Sequence, residues 1–554
     1  VRTFGIYLAY EPTVDLRAEG LGRLLGALLG AATRRADIRF VIACPSWSRE
    51  SIRDLLLSEG IDPARFEYLG PSQKPALLRL YEHWLRWRAR ERGRQWRRWL
   101  AALRRGLRVA LGWAGVPRRK LVSTRSYWPL AAAVAAAIGG AILLLPFLLL
   151  GLAGKRLRNG LGAKPTPEAP PAPSTRTGLE TALRRLIAGH APKEIPPVVA
   201  LFQEMQQAEL LALEREIARA PWVEAWYCPT AFWPAVTRLP VPVLVCVPDI
   251  VPLEFPVAFS RLGGERVRSR IKQIRQTLRG ARHLVVYSEH VRAHTLNQQL
   301  GLNPQSVAVI PHGASRLDRM ISVRGDNAPP AATDAFAWDL VQRAMRRCGI
   351  PSNAPGLSDQ TRYLFYASQF RPNKNLVNLL RAIEFLLRQR YVSCKLVLTG
   401  NVSAFPEIGQ TIARLRLHNE VLIVPGLSSQ ELAAFYRRAT LAVNPSLFEG
   451  GVPFTYSEAL CVGTPVVMAR VPPTLEAIDD PDLRRDMLFD PYDVRDMAAR
   501  LQWALANRAE LLERQTEHYS QTLALRSWDQ VLEEYLGELK QIARTMPESA
   551  GVRV

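Results

Sequence analysis

The sequence predicts an α/β protein of two doubly wound, Rossmann-like parallel-sheet domains, with a helical insertion in the first. Three observations carry this. A chain of 554 residues exceeds what one hydrophobic core holds, so two cores are expected. Short apolar runs alternate with amphipathic helical stretches in both halves, as βαβ units require. That alternation is broken by one long stretch of different composition, which is read as an insertion.

The first strand is read at Thr3 to Ala9, with Arg2 its only nearby charge, so no signal peptide is expected there. A helix follows with Leu21, Leu24, Leu25, Leu28 and Leu29 at helical spacing. Gly20 and Gly22 stand at its start, where a glycine-bearing turn between first strand and first helix can approach a diphosphate. The alternative is ordinary helix-start packing. A second strand, Ile38 to Ala43, completes the first part of the domain, set at residues 1–72.

Residues 73–175 form the insertion. Between Arg86 and Arg125 it holds 14 Arg or Lys against one acid, Glu91, so much of the chain's net charge of +23 is local. Trp84, Trp87, Trp96, Trp99, Trp113 and Trp128 are interleaved with these cations, the composition of a membrane-surface segment and not of a nucleic-acid binder. Leu130 to Ala153 carries no charge. As a helix it measures about 36 Å at 1.5 Å per residue, enough to cross a hydrocarbon layer of roughly 30 Å. Basic residues flank it on both sides, and the strands before and after the insertion belong to one sheet. A hairpin that dips into the bilayer and returns fits both facts, and a buried soluble helix is the alternative. The membrane contact is placed at residues 84–153. Five prolines between Lys164 and Pro173 mark an extended spacer.

Residues 176–313 return to the first domain, with an amphipathic helix from Pro197 and strands near Trp226, Val243, Leu284 and Val307. Residues 314–359 read as a connector with one helix, residues 360–525 as the second domain, and residues 526–554 as a closing helix that packs back on the first domain. The second domain's strands are expected near 363, 395, 421, 441, 465 and 487. Ser428 and Glu431 have the spacing of a capping box. Six scattered cysteines without a CxxC pair read as reduced thiols of a cytosolic compartment. The acidic run Asp479-Asp480-Pro481-Asp482 reads as a solvated turn with no metal role.

Two stretches of the second domain carry chemistry. After its first strand comes Ser368-Gln-Phe-Arg371-Pro-Asn-Lys374-Asn375, two cations three positions apart on a loop that can hold a diphosphate between them. Further on, Glu449-Gly450-Gly451-Val452-Pro453 makes a glycine corner feeding a helix, and Glu458 follows in the context EALCVGTPVV. Such a corner gathers unpaired N–H groups at the positive end of a helix, and the two carboxylates can accept sugar hydroxyls. These residues resemble the donor-binding signature of the family 4 (group 1) retaining glycosyltransferases, which have the GT-B fold. There the first glutamate contacts the transferred sugar, the second the ribose, and the Arg and Lys hold the diphosphate. The family's glutamates lie eight apart, whereas Glu449 and Glu458 lie nine apart.

The resemblance implies a metal-independent hexosyltransferase that uses a nucleotide-diphosphate sugar and no further cofactor, with retention at the anomeric carbon. It implies catalytic roles for Arg371, Lys374 and Glu449, and substrate contacts for Gly20, Gly22, Gly450, Gly451, Val452, Pro453 and Glu458. Where family members carry a His contacting the donor sugar, this chain has Pro248-Asp249, so Asp249 is the candidate, against a plain turn. His312 is read as a structural residue at the domain junction. The stretch around Arg371 leans towards mannosyl donors. The insertion points to a membrane-proximal or lipid-linked saccharide acceptor, at the cytoplasmic face of the cell membrane. A nucleotide-sugar epimerase, which needs no lipid-facing insertion, and a membrane-tethered binding protein with a degenerate fold are the alternatives; an assay of sugar transfer separates them.

Overall fold

The computed structural model describes residues 1–12, 14–18, 20–90, 122–132, 135, 197–323, 330–350 and 357–545. Most of the basic, tryptophan-rich stretch, nearly all of the apolar run Leu130 to Ala153 and the proline-rich spacer lie outside these residues. Among the described residues no helix is long and apolar enough to cross a membrane. The described residues divide into two compact units: those within 1–44, 48–69 and 216–545, and those within 45–47 and 70–215.

The larger unit holds two all-parallel sheets, as the alternation of apolar runs and helices predicts. The first joins β1 (Arg2–Tyr7), β2 (Ile38–Ala43), β3 (Glu67–Leu69), β4 (Trp226–Cys228), β5 (Val243–Cys246), β6 (His283–Val286) and β7 (Val307–Val309) in the order β3-β2-β1-β4-β5-β6-β7. The order reverses between β1 and β4, so the connections wind outward on both sides of that point. Strands before and after the insertion thus share one sheet, Gly5 pairing with Trp226 and Ile6 with Tyr227. Gly5 is required there: a Cβ on it would lie 2.2 Å from the fully buried Trp226 ring.

The second sheet joins β8 (Tyr363–Tyr366), β9 (Lys395–Leu398), β10 (Val421–Ile423), β11 (Leu441–Asn444), β12 (Val466–Ala469) and β13 (Leu488–Phe489) in the order β10-β9-β8-β11-β12-β13. Each sheet with its helices is called a lobe below. The helix Leu376–Gln389 buries Leu376, Leu379, Leu380, Ile383 and Leu386, spaced to fall on one face. Each such burial contributes about 1.5–3 kcal/mol. The helix Ser429–Arg438 starts with the capping box: Glu431 N–H donates to Ser428 Oγ at 3.2 Å and Ser428 N–H to Glu431 Oε2 at 2.8 Å. The connector's helix, Pro330–Arg347, contributes Ala337, Leu340, Val341 and Ala344 to the second lobe's core.

The closing helix, Trp528–Thr545, packs on the first lobe against the first helix, Gly20–Ala32, and β5. It buries Val531, Leu532, Tyr535, Leu536, Leu539 and Ile542. All six cysteines are thiols, four of them buried. The acidic run corrects one expectation. Asp480 is not part of a bare turn: its carboxylate caps the helix Pro481–Met487, accepting from Asp482 N–H at 2.8 Å and Leu483 N–H at 3.1 Å.

The smaller unit extends past the residues 73–175 set off by composition. Trp47, Leu78, Val122 and Met205 form its described core. Beside them the buried Glu209 accepts from Ser46 N–H and from Arg125 Nη2, each at 3.0 Å. Burial pushes the Glu209 carboxyl up, and these two donors offset part of that push.

Candidate active site

The loop after β8 is fixed by its backbone. Pro372–Lys374 make one tight turn, and Asn375 takes a left-handed conformation (φ 51°) that an asparagine tolerates well. Asn375 Nδ2 donates to Pro491 O at 2.7 Å, and Leu447 N–H donates to Asn373 O at 2.8 Å. That second bond ties the loop after β8 to the loop after β11. It brings Lys374 Nζ to 2.7 Å from Glu449 Oε1. Arg371 lies at the exposed edge of the same loop, donating to Gln369 Oε1 at 3.0 Å.

Asp249, in the turn after β5 of the first lobe, faces this group. Burial pushes its carboxyl above the usual range, while Arg371 and Lys374 pull it back and Glu449 adds to the push. Burial alone lowers the Lys374 ammonium, but Glu449, Tyr366 and Asp249 outweigh it and hold the group well above its ordinary value. Lys374 therefore stays a cation. Arg371, Lys374, Glu449 and Asp249 are thus brought into one electrostatic group from two lobes.

The glycine corner does something the sequence does not announce. A Cβ on Gly450 would lie 1.5 Å from Pro248 O, and one on Gly451 would lie 2.7 Å from Tyr287 Cβ. Ser288 Oγ donates to Gly450 O at 2.9 Å. The space these glycines leave is filled by the first lobe, by the backbone of Pro248 and Asp249 at Gly450 and by Tyr287 at Gly451. Val452 packs against the second lobe's core, and Pro453 precedes the seven-residue helix Phe454–Leu460. His312, just after β7, stacks on Phe454 (centroids 4.2 Å, 15°) and meets Tyr287 edge-on at 5.7 Å. Its burial pushes the imidazole down to about 4, so it is neutral, and its Nδ1 has no partner among the described residues.

Glu458 does not join the Lys374–Glu449 pair. It is 4% exposed, takes Tyr436 Oη on Oε2 at 2.9 Å, and pairs through Oε1 with Arg23 of the first lobe's first helix. Gly22 is required by packing, since a Cβ there would lie 1.8 Å from Leu16 O; Gly20 faces open space, three positions before Arg23. Sequence reasoning passed over Arg23, Tyr436 and Tyr366, whose hydroxyl bonds Ser446 Oγ at 3.0 Å. Arg23 had one available signal, its place on the same helix start as Gly20 and Gly22.

A family model described as glycosyl transferases group 1 matches residues 352–521. The chain is 32% identical over 173 residues to the MMP alpha-(1->4)-mannosyltransferase of Mycolicibacterium hassiacum, covering 31% of this chain and 41% of that protein. It is 27% identical over 250 residues to the D-inositol 3-phosphate glycosyltransferase of Pseudarthrobacter chlorophenolicus, covering 42% and 56% respectively. The chain therefore spans about half the length of these relatives. Among solved structures, sucrose-phosphate synthase from Thermosynechococcus elongatus aligns with a TM-score of 0.46 at 16% identity, over 62% of this chain and 79% of that one. Anabaena Alr3699/HepE in complex with UDP and glucose aligns with a TM-score of 0.44 at 15% identity, over 62% and 89%.

Proposed function

We propose that this chain, whose residues 352–521 match the family model of the group 1 glycosyl transferases, transfers a hexose from a nucleotide-diphosphate sugar to a saccharide acceptor. The observation that carries the reading is the Lys374–Glu449 pair at 2.7 Å, set beside Arg371 and facing Asp249 across from the other lobe. As the bond to the diphosphate breaks, the anomeric carbon becomes oxocarbenium-like and negative charge grows on the leaving phosphate. Lys374 and Arg371 are cations in place before that charge develops, which favours the transition state over the ground state. In this reading Glu449 orients both Lys374 and the transferred sugar, Glu458 accepts from the ribose, and Asp249 faces the sugar from the first lobe. The turn of Gly20 and Gly22 and the backbone of the corner Gly450–Pro453 border the donor, on sides other than those where Leu16, Pro248 and Tyr287 pack against Gly22, Gly450 and Gly451.

The cations take the role a divalent ion would fill, so the reaction is metal-independent. The acceptor attacks from the face the diphosphate leaves, with retention. Mannose is the favoured sugar, since the relative at 32% identity is named a mannosyltransferase. Residues 84–153 hold the chain at the cytoplasmic face of the membrane, where a lipid-linked or membrane-proximal acceptor is presented.

A screen of nucleotide sugars for protection against thermal unfolding tests the donor, because a ligand that binds only the folded chain raises its Tm. GDP-mannose is expected to shift Tm and then to yield labelled product in the presence of EDTA, with the donor's anomeric configuration kept. Silence across all donors rejects the transferase reading; an inverted product rejects retention alone.

A further inference from the structure

Glu458 is almost wholly buried, so its charge needs partners inside the protein. Tyr436 supplies a hydrogen bond from the same lobe but no charge. The counter-charge comes from Arg23, which belongs to the other lobe, lies 5.8 Å from the Phe454 ring and keeps 32% of its side chain exposed. Further groups among the described residues face this pair. Thr455 lies beside Tyr436, Cys461 Sγ donates to the Glu458 backbone carbonyl at 3.3 Å, and Glu59 faces Arg23 from the first lobe.

We propose that Arg23 is a positioning residue for donor binding: from the first lobe it pairs with the second lobe's Glu458 and holds it aligned for the ribose. This rests on the ribose assignment of Glu458. Ribose hydroxyls are neutral donors and cannot replace a guanidinium beside a buried carboxylate. Displacing Arg23 would strand that charge, whereas each carboxylate oxygen has a second acceptor site for a hydroxyl. Arg23 and the ribose therefore share Glu458. The donor's binding carboxylate is complete only while the two lobes are in contact, so nucleotide affinity and lobe contact are coupled.

The test is calorimetric affinity for UDP and for GDP on the full chain, from pH 5.5 to 8.5. The readout is the ratio of each variant's Kd to that of the wild type, in which the titration of the nucleotide's own phosphate cancels. For Arg23→Ala the ratio is expected to be about 10 at pH 8, the loss of one hydrogen bond to a charged group. It should grow several-fold as the pH falls, because a buried carboxylate without its counter-charge takes up a proton and loses acceptor sites. Arg23→Lys is expected to give a ratio independent of pH. Adding Glu458→Gln to Arg23→Ala should abolish the pH dependence, and adding Glu59→Gln should leave it. A pH-independent ratio for Arg23→Ala in a folded protein overturns the proposal, as does pH dependence that follows Glu59. Wild-type protein that binds neither nucleotide removes the ribose assignment itself, and this inference with it. If Glu458→Gln weakens binding while the Arg23→Ala ratio stays flat, only the role of Arg23 is lost.

Discussion

Lys374 and Arg371 differ in setting although they are read to share a task. Lys374 is held against Glu449, whereas Arg371 sits at an exposed edge where a phosphate can recruit it. Alanine at either position is expected to lower kcat by about 10²-fold or more, if each contributes roughly 3 kcal/mol at the developing charge. Unchanged kcat in both variants rejects the phosphate role. Glu458→Gln should act mainly on the donor's KM, because ribose contact is common to ground and transition states. His312 gives a prediction in stability. Its folded value near 4 lies below the usual 6.5, so the unfolded chain binds the proton more tightly between these values. The stability tied to a neutral His312 is full above about pH 6.5 and is lost as pH falls towards 4, on the order of 3 kcal/mol in total. Urea midpoints for the wild type and His312→Phe, which keeps the ring stack on Phe454, should show their difference in stability changing by that amount between pH 7 and pH 4. A difference that does not vary with pH refutes the assignment.

Among the elements, the glycine corner separates two uses that a sequence cannot. Gly450→Ala forces a Cβ onto Pro248 O, and the corner must retreat from the turn that carries Asp249. A displacement of this kind near 1 Å is expected to cost about 10² in kcat/KM. Gly20→Ala meets open space at a helix start and should stabilise the chain by roughly 0.5–1 kcal/mol. A donor KM that nonetheless rises in Gly20→Ala would show a diphosphate lying against that turn. Strands such as Val466–Ala469 were legible because a short apolar run bounded by turn residues and helical stretches suits a buried parallel strand, whereas the three-residue β3, Glu67–Leu69, carries too little apolar pattern to be read; Ser428 with Glu431 was legible because a capping box is local. Arg23 and Glu458 are 435 positions apart, and nothing in either neighbourhood names the other. Likewise the residues Gly450-Gly451 announce that some backbone comes close, without saying whether it belongs to a ligand or to Pro248.

For the whole molecule, the closing helix returns the chain to the lobe in which it began. Leu536, fully buried there, should cost about 2–5 kcal/mol when cut to Ala, measured by denaturant unfolding. The two-lobe plan could be read from the repetition of βαβ units, whereas the docking of this helix depends on packing between residues far apart in the chain. The chain passes between lobes twice, once outward at Pro311 to Ala314 and once back at Arg526 to Trp528. These passages are stitched together: Arg526 Nε donates to Pro311 O at 2.9 Å, Ala314 N–H to Arg526 O at 3.0 Å and Trp528 Nε1 to Ala314 O at 3.0 Å. Because the two crossings are bonded side by side, sliding one lobe past the other at this point breaks those hydrogen bonds. A turnover paced by product escape is therefore expected to respond to Arg526→Ala or Trp528→Phe, changes at bonds that lie in the crossing and not in the Lys374–Glu449 group.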